Sequence, residues 1–169
     1  MKEIARLLND MTEAGVITGY ALFGALAQVR YTESVATLDA DVLVGVPTPE
    51  RLDLLAPLYE FCARKGYLPE GEAVRVGDWP LQFIPTYSGL TREAMENAEP
   101  VDFEGIPFRI VRADYLSVIA LEAGRPKDMA RILALLESGS VTREAVAGLA
   151  GRHHLDEAWK RFERRFLND

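Results

Sequence analysis

Two aspartates one residue apart, Asp39 and Asp41, stand immediately before the apolar run Val42–Val46. Side chains alternate across a β-strand, so residues two apart share a face. Extended backbone here points both carboxylates the same way. Like charges held that close repel, and burying either without a partner is costly. Two arrangements relieve this: the pair ends a loop and faces water, or a cation sits between the carboxylates. A hard divalent ion such as magnesium favours an oxygen site completed by water and phosphate. Charge neutralisation of that kind is what phosphoryl and nucleotidyl transfer require.

The surrounding stretch is organised to present the pair. Tyr20–Leu22 reads as a strand that meets Gly24. A short helical segment follows from Ala25 to about Arg30, then a polar loop containing Thr32, Glu33, Ser34 and Thr37. The loop closes on Asp39-Ala40-Asp41, and the continuous apolar run behind it is expected of a strand covered on both faces.

The rest of the chain supplies a frame. Ile4, Leu7, Leu8 and Met11 recur at helical spacing over Lys2–Ala14, and Gly15 is a natural stop. Thr48 and Pro49 predict the cap and first position of a helix burying Leu54, Leu55, Leu58, Phe61 and Cys62. Glu72–Val76 with Pro80–Ile84, and Val101–Phe103 with Phe108–Val111, read as two hairpins. Thr91–Ala98 reads as a short helix. From Ala113 onward every stripe is helical, interrupted at Gly124-Arg125-Pro126; Val141–Leu149 is the weakest stripe and Leu155–Phe166 a clean one. The pattern predicts an α+β fold. Its expected organisation is an α/β core over 1–112 with a C-terminal helical region, 113–169, packed on it as one compact domain.

Composition sets bounds on function. The 169 residues are 49% apolar, enough for a real core, and the charged share is ordinary. The net charge of −7, from 19 basic and 26 acidic residues, disfavours broad nonspecific nucleic-acid binding. The single cysteine, Cys62, excludes an internal disulfide and a cysteine-rich zinc site, and its apolar context predicts a buried helix position. No stretch is long and apolar enough to span a bilayer. The start, MKEIARLLND, carries acidic residues early and no cleavage site, so a cytoplasmic, reducing setting is expected. His153-His154 has no cysteine or carboxylate at metal-ligand spacing.

A glycine, a gap, then Asp-x-Asp leading an apolar strand resembles the polymerase-beta type of nucleotidyltransferase. YALFGALA…RYTESVATLDADVLV is most similar to the bacterial AbiEii/MNT-like branch, which includes nucleotidyltransferase-like domains of unknown function. Leu81-Gln82-Phe83 resembles the third core strand, and Ala120-Leu121-Glu122-Ala123-Gly124-Arg125-Pro126-Lys127-Asp128 the family's helix turn. The resemblance implies a minimal mixed sheet flanked by helices with a C-terminal helical cap. It implies Asp39 and Asp41 as catalytic metal ligands for magnesium. It implies Gly24 and the neighbouring amide of Ala25 at phosphate, a bound nucleoside triphosphate, and a hydroxyl acceptor on protein, RNA or a small molecule. Arg30, Thr37, Gln82, Arg125, Lys127 and Asp128 become nucleotide-binding candidates. The AbiEii likeness adds a toxin–antitoxin role with an antitoxin-type protein partner.

Each of these residues also has a plain structural reading. Gly24 can be a simple tight turn, Gln82 a half-exposed strand residue, Arg30 and Thr37 surface positions. Arg125, Lys127 and Asp128 can be ordinary helix-start chemistry, with Asp128 facing the helix dipole. The chain also departs from the family pattern. Phe23-Gly24 replaces the usual pair of small residues. Glu122 stands where a lysine is common. Gln82 occupies the place of a third carboxylate, and a neutral amide is no general base and a poor magnesium ligand. These departures favour the alternative: a catalytically degenerate protein of the same fold that binds nucleotide or a partner without turnover.

Overall fold

In the computed structural model, residues 1–33 and 36–167 are described; Ser34 of the polar loop lies outside them, with Val35, Asn168 and Asp169. Contacts divide the chain into two compact units. A sheet unit comprises Met1–Ala27 and Ala36–Val111, and a helical unit comprises the residues from Arg112 onward with the stretch that begins at Gln28.

The sheet unit is built on seven strands: β1 (Gly19–Phe23), β2 (Ala40–Gly45), β3 (Leu68–Glu70), β4 (Ala73–Val76), β5 (Trp79–Pro85), β6 (Glu99–Phe103) and β7 (Ile106–Ile110). Their order across the sheet is β3-β4-β5-β2-β1-β7-β6. β2 lies at the centre, antiparallel to β1 and parallel to β5. β1 runs parallel to β7, and the two expected hairpins, β4–β5 and β6–β7, are antiparallel. Val42, Leu43 and Val44 are fully buried, as an apolar run covered on both faces requires.

Three longer helices clothe this sheet. α1 (Lys2–Glu13) buries Ile4, Leu7, Leu8 and Met11, and packs against β1 and β7. Burying each such side chain stabilises by about 1.5–3 kcal/mol. The Tyr20 hydroxyl donates to Asn9 Oδ1 at 2.7 Å, tying β1 to α1; burial pushes that phenol up to about 12. On the other side, α4 (Gly89–Glu96) packs against β1 and β2. Gly45 permits this approach: a Cβ there would sit 2.2 Å from Thr18 Oγ1 and 3.0 Å from Met95 Cε. α4 starts at a capping box in which Ser88 Oγ accepts from the Thr91 amide at 3.1 Å. Between β1 and the polar loop lies α2 (Gly24–Gln28), a single turn.

α3 (Ala56–Arg64) departs from expectation. Thr48 and Pro49 do not start it. Asp53 Oδ1 accepts the amides of Leu55 and Ala56 at 3.1 and 2.9 Å, and Pro57 occupies the first turn. A downstream acid and proline meet the same local requirement, leaving residues 48–55 as turns. Cys62 is buried on this helix, and burial raises its thiol to about 11. β3 has no counterpart in the sequence pattern. All three of its residues are exposed, and Pro69 is compatible with strand structure because β3 is an edge.

The helical unit contains α5 (Ala113–Ala123), α6 (Pro126–Glu137), α7 (Arg143–Arg152) and α8 (Asp156–Phe166). α5 is central and packs against the other three. Its residues Ala113 and Tyr115–Leu121 are buried almost all round, as a helix in the middle of a bundle must be. The Gly124-Arg125-Pro126 break falls between α5 and α6 as expected. α7 begins two residues later than its apolar stripe, because Thr142 Oγ1 accepts the Ala145 amide at 3.2 Å and caps it.

Candidate functional site

The aspartates lie where β1, β2 and β5 run side by side. In the sheet register, Asp41 pairs with Phe23 of β1 on one side and Gln82 of β5 on the other. Directly paired residues project on the same face, with strands about 4.8 Å apart. Phe23, Asp41 and Gln82 therefore form a short row, each half-buried, at the end of the sheet where β2 begins.

Gly24 abuts this row. Its backbone is left-handed, φ +65°, and a Cβ placed on it would meet Asp41 Oδ2 at 2.6 Å and Asp41 Cβ and Cγ at 3.4 Å. Any side chain at this position would be strained by conformation and would collide with the carboxylate. The bend after β1 and the first acid of β2 are thus in contact, through the antiparallel pairing that sets Phe23 opposite Asp41. Ala25 follows in the first turn of α2.

Asp39 sits one residue outside β2 and is exposed. The Thr37 hydroxyl lies 3.0 Å from the Asp39 carbonyl oxygen and 3.4 Å from Asp39 Oδ1. Thr37 therefore engages the aspartate itself and orients the loop that leads into the strand. Between them Leu38 stands 90% exposed, an apolar side chain beside the two acids.

The donor set suits a hard divalent ion: carboxylate oxygens, one exposed and one half-buried. Among the described residues no group of three or more His, Cys, Asp or Glu converges on a point that could hold a metal. An ion here would take protein oxygens from Asp39 and Asp41 and complete its shell with water and phosphate, a division magnesium commonly adopts. Gln82 occupies the β5 position beside Asp41, with an amide in place of a carboxylate. Asp78 lies in the β4–β5 turn, outside the paired row of Phe23, Asp41 and Gln82. Gln82 also lines a cavity of about 540 Å³ with Leu55, Tyr59, Pro69, Glu72 and Phe83.

The other basic and acidic candidates belong to the helical unit. Arg30 is exposed in the turn after α2. Asp128, in the first turn of α6, is fully buried. Its Oδ2 accepts Arg125 Nε at 2.6 Å and the Arg125 amide at 3.3 Å, and its Oδ1 accepts Arg125 Nη2 at 3.2 Å. Arg131, on the next turn of the same helix, places Nη1 3.6 Å from Asp128 Oδ1 and donates from Nε to buried Gln28 at 3.1 Å. Arg131 and Gln28 were missed in the sequence. The i,i+3 spacing of Asp128 and Arg131 was a usable signal; the long-range contact to Gln28 carried none. Lys127 is exposed. Glu122 is likewise exposed, near the end of α5.

No protein-family model matches the sequence, and no curated relative aligns with it. Solved structures do share its fold. An antigenic nucleotidyltransferase-like protein from Paracoccidioides brasiliensis superposes with a TM-score of 0.56 at 13% identity, covering 93% of this chain and 90% of that one. The antibiotic-resistance factor ANT(2'')-Ia in solution gives 0.55 at 13% identity, covering 97% and 96%. At such identities the likeness is one of fold, and the fold of this chain is nucleotidyltransferase-like: α+β, with a mixed seven-stranded sheet and an all-helical C-terminal part.

Proposed function

We propose that this chain is a nucleotidyltransferase that takes a magnesium-bound nucleoside triphosphate at the Gly24–Asp41 corner. One observation carries the reading: the left-handed glycine bend and the first strand carboxylate are in contact, leaving no room for a side chain between them. A bend without a Cβ lets phosphate approach the Gly24 and Ala25 amides, while Asp39 and Asp41 hold the ion that neutralises its charge. The nucleotidyl group would pass to a hydroxyl of a protein, an RNA or a small molecule, with pyrophosphate leaving. Likeness in sequence to AbiEii/MNT proteins extends the reading to a toxin–antitoxin setting, with an antitoxin-type protein as partner.

A second reading rests on Gln82. Its register beside Asp41 puts an amide where a general base would have to stand. A protein of this fold that binds nucleotide or a partner without turnover fits that feature.

Two measurements separate the readings. Calorimetric titration with ATP, CTP, GTP and UTP, with and without magnesium, tests binding. Label transfer from an α-labelled nucleoside triphosphate, lost in Asp39→Ala and Asp41→Ala, tests the enzyme. Magnesium-independent binding with no transfer supports the degenerate reading. No binding of any nucleotide overturns both nucleotide readings.

A further inference from the structure

We propose that the groove between α6 and α8 in the helical unit is a docking surface for an acidic amphipathic helix of a protein partner. Every residue that lines the groove belongs to the helical unit. Three adjoining cavities form it, of about 560, 300 and 540 Å³. Phe166 lines all three. Met129 is shared by the first two and Leu133 by the last two, so one apolar floor runs along α6. Met129, Leu133, Leu136 and Phe166 are only half-buried, although their neighbours Ile132, Leu135 and Phe162 are buried. α6 thus closes one part of its apolar stripe against the bundle and leaves the adjoining part open.

Charge selects the occupant. Arg161, Arg164 and Arg165 line the first cavity, all three exposed, and among the described residues no acidic one lines it; the third is lined by one charge of each sign, Glu137 and Arg143. Arg165 lies over the Phe166 ring at 5.1 Å, so its guanidinium is held at the apolar floor. The nearby carboxylate of Glu157 is taken by Lys160 at 2.8 Å. The charge distribution of the chain agrees: residues 1–111 carry 17 acidic against 9 basic side chains, whereas 112–169 carry 9 against 10. An apolar groove lined with Met, Leu and Phe and edged by arginine matches the helix-in-groove mode, in which i, i+3/i+4, i+7 anchors fill the floor and flanking charges read the rim. Arginine at the rim requires Glu or Asp on those flanks.

The test uses the whole chain and three labelled peptides of roughly 18 residues, long enough for partial helicity. One has leucines at helical spacing flanked by glutamates, one the same leucines flanked by lysines, and one the glutamate composition in scrambled order. Fluorescence anisotropy is expected to show the first binding at least about tenfold tighter than either other, weakening with salt. The triple variant R161E/R164E/R165E is expected to reverse the preference to the lysine peptide. Leu133→Glu is expected to abolish binding of both, with helical content checked by circular dichroism. Equal affinity for scrambled and ordered peptides overturns the proposal, as does no binding by a folded wild-type chain. Concentration-dependent dimerisation that Leu133→Glu abolishes also overturns it, by assigning the groove to a second copy.

Discussion

Asp128 and the pair Asp39/Asp41 are carboxylates in opposite situations. Asp128, in the helical unit, has no exposed surface and is gripped by Arg125 and Arg131 at the start of a helix. Asp39 and Asp41, in the sheet unit, stand at the entry to a strand, one exposed and one half-buried, with a threonine hydroxyl on the first and a bare glycine bend against the second. A buried carboxylate with arginine partners already has its charge compensated and serves to hold local structure. A carboxylate at the entry to a strand, beside backbone with no Cβ, stands where a cation and what it carries could approach. Residue type alone would rank the three equally; surroundings separate them.

The separation makes opposite demands on substitution, and the largest effect is expected at the buried acid. Asp128→Ala removes the acceptor for Arg125 and Arg131. Arg125 can turn to water, but Arg131 is mostly enclosed, so the loss is expected to be about 2–3 kcal/mol of folding free energy. Urea unfolding measures it. Nucleotide affinity of the folded fraction should not change; a loss of affinity matching that of Asp41→Ala would show that the buried acid also serves the nucleotide.

Gly24→Ala acts on both sides of the comparison. A methyl group at φ +65° costs about 1 kcal/mol in conformation, and it would lie 2.6 Å from Asp41 Oδ2, forcing the carboxylate aside. A stability loss of about 1–2 kcal/mol is expected, together with about a tenfold weaker magnesium–nucleotide titration. Stability loss with unchanged affinity would reduce the glycine–aspartate contact to a tight turn.

Gln82→Asp sharpens the contrast by adding a third acid beside Asp41. Without metal, the added like charge is expected to lower stability by about 0.5–1 kcal/mol. Magnesium should restore it, seen as a thermal midpoint that rises with the ion more in the variant than in the parent chain. A variant equally unstable with and without magnesium would show that the row Phe23–Asp41–Gln82 does not gather around a cation.

What could be read before any coordinates divides along the same line. The helices of the last third were legible because α6 and α8 bury apolar stripes of period 3.6, and because Gly124-Arg125-Pro126 and Thr142 mark boundaries between helices. β3 was not, since an exposed Leu68-Pro69-Glu70 has no apolar alternation and gains its place only from β4 beside it. The start of α3 was misplaced because Thr48-Pro49 and Asp53 with Pro57 offer the same local chemistry, and only packing chooses. Asp39, Asp41 and Gly24 stood out by type and spacing. That Gly24 touches Asp41 depends on the register of two strands joined by a long loop, which no local pattern states. Asp128 was noticed for its position at a helix start, yet its burial is set by Arg131 and Gln28 together.

Lys127 gives the smallest expected effect and the finest test of the boundary between the two regions. It neighbours Asp128 in sequence, carries the charge a triphosphate would attract, and is exposed, whereas Arg125 and Arg131 are committed to the buried carboxylate. If the start of α6 serves only its own helix, Lys127→Ala should change stability by less than about 0.5 kcal/mol, the usual range for a surface substitution. Nucleotide affinity should then move by less than about twofold, since a screened surface charge contributes little. A drop of about tenfold at low salt, lost at high salt and absent for a like substitution at Arg152, would instead enrol this one residue of the cluster in phosphate binding. The contacts among Arg125, Asp128 and Arg131 stand apart from that result, because Lys127 makes none of them.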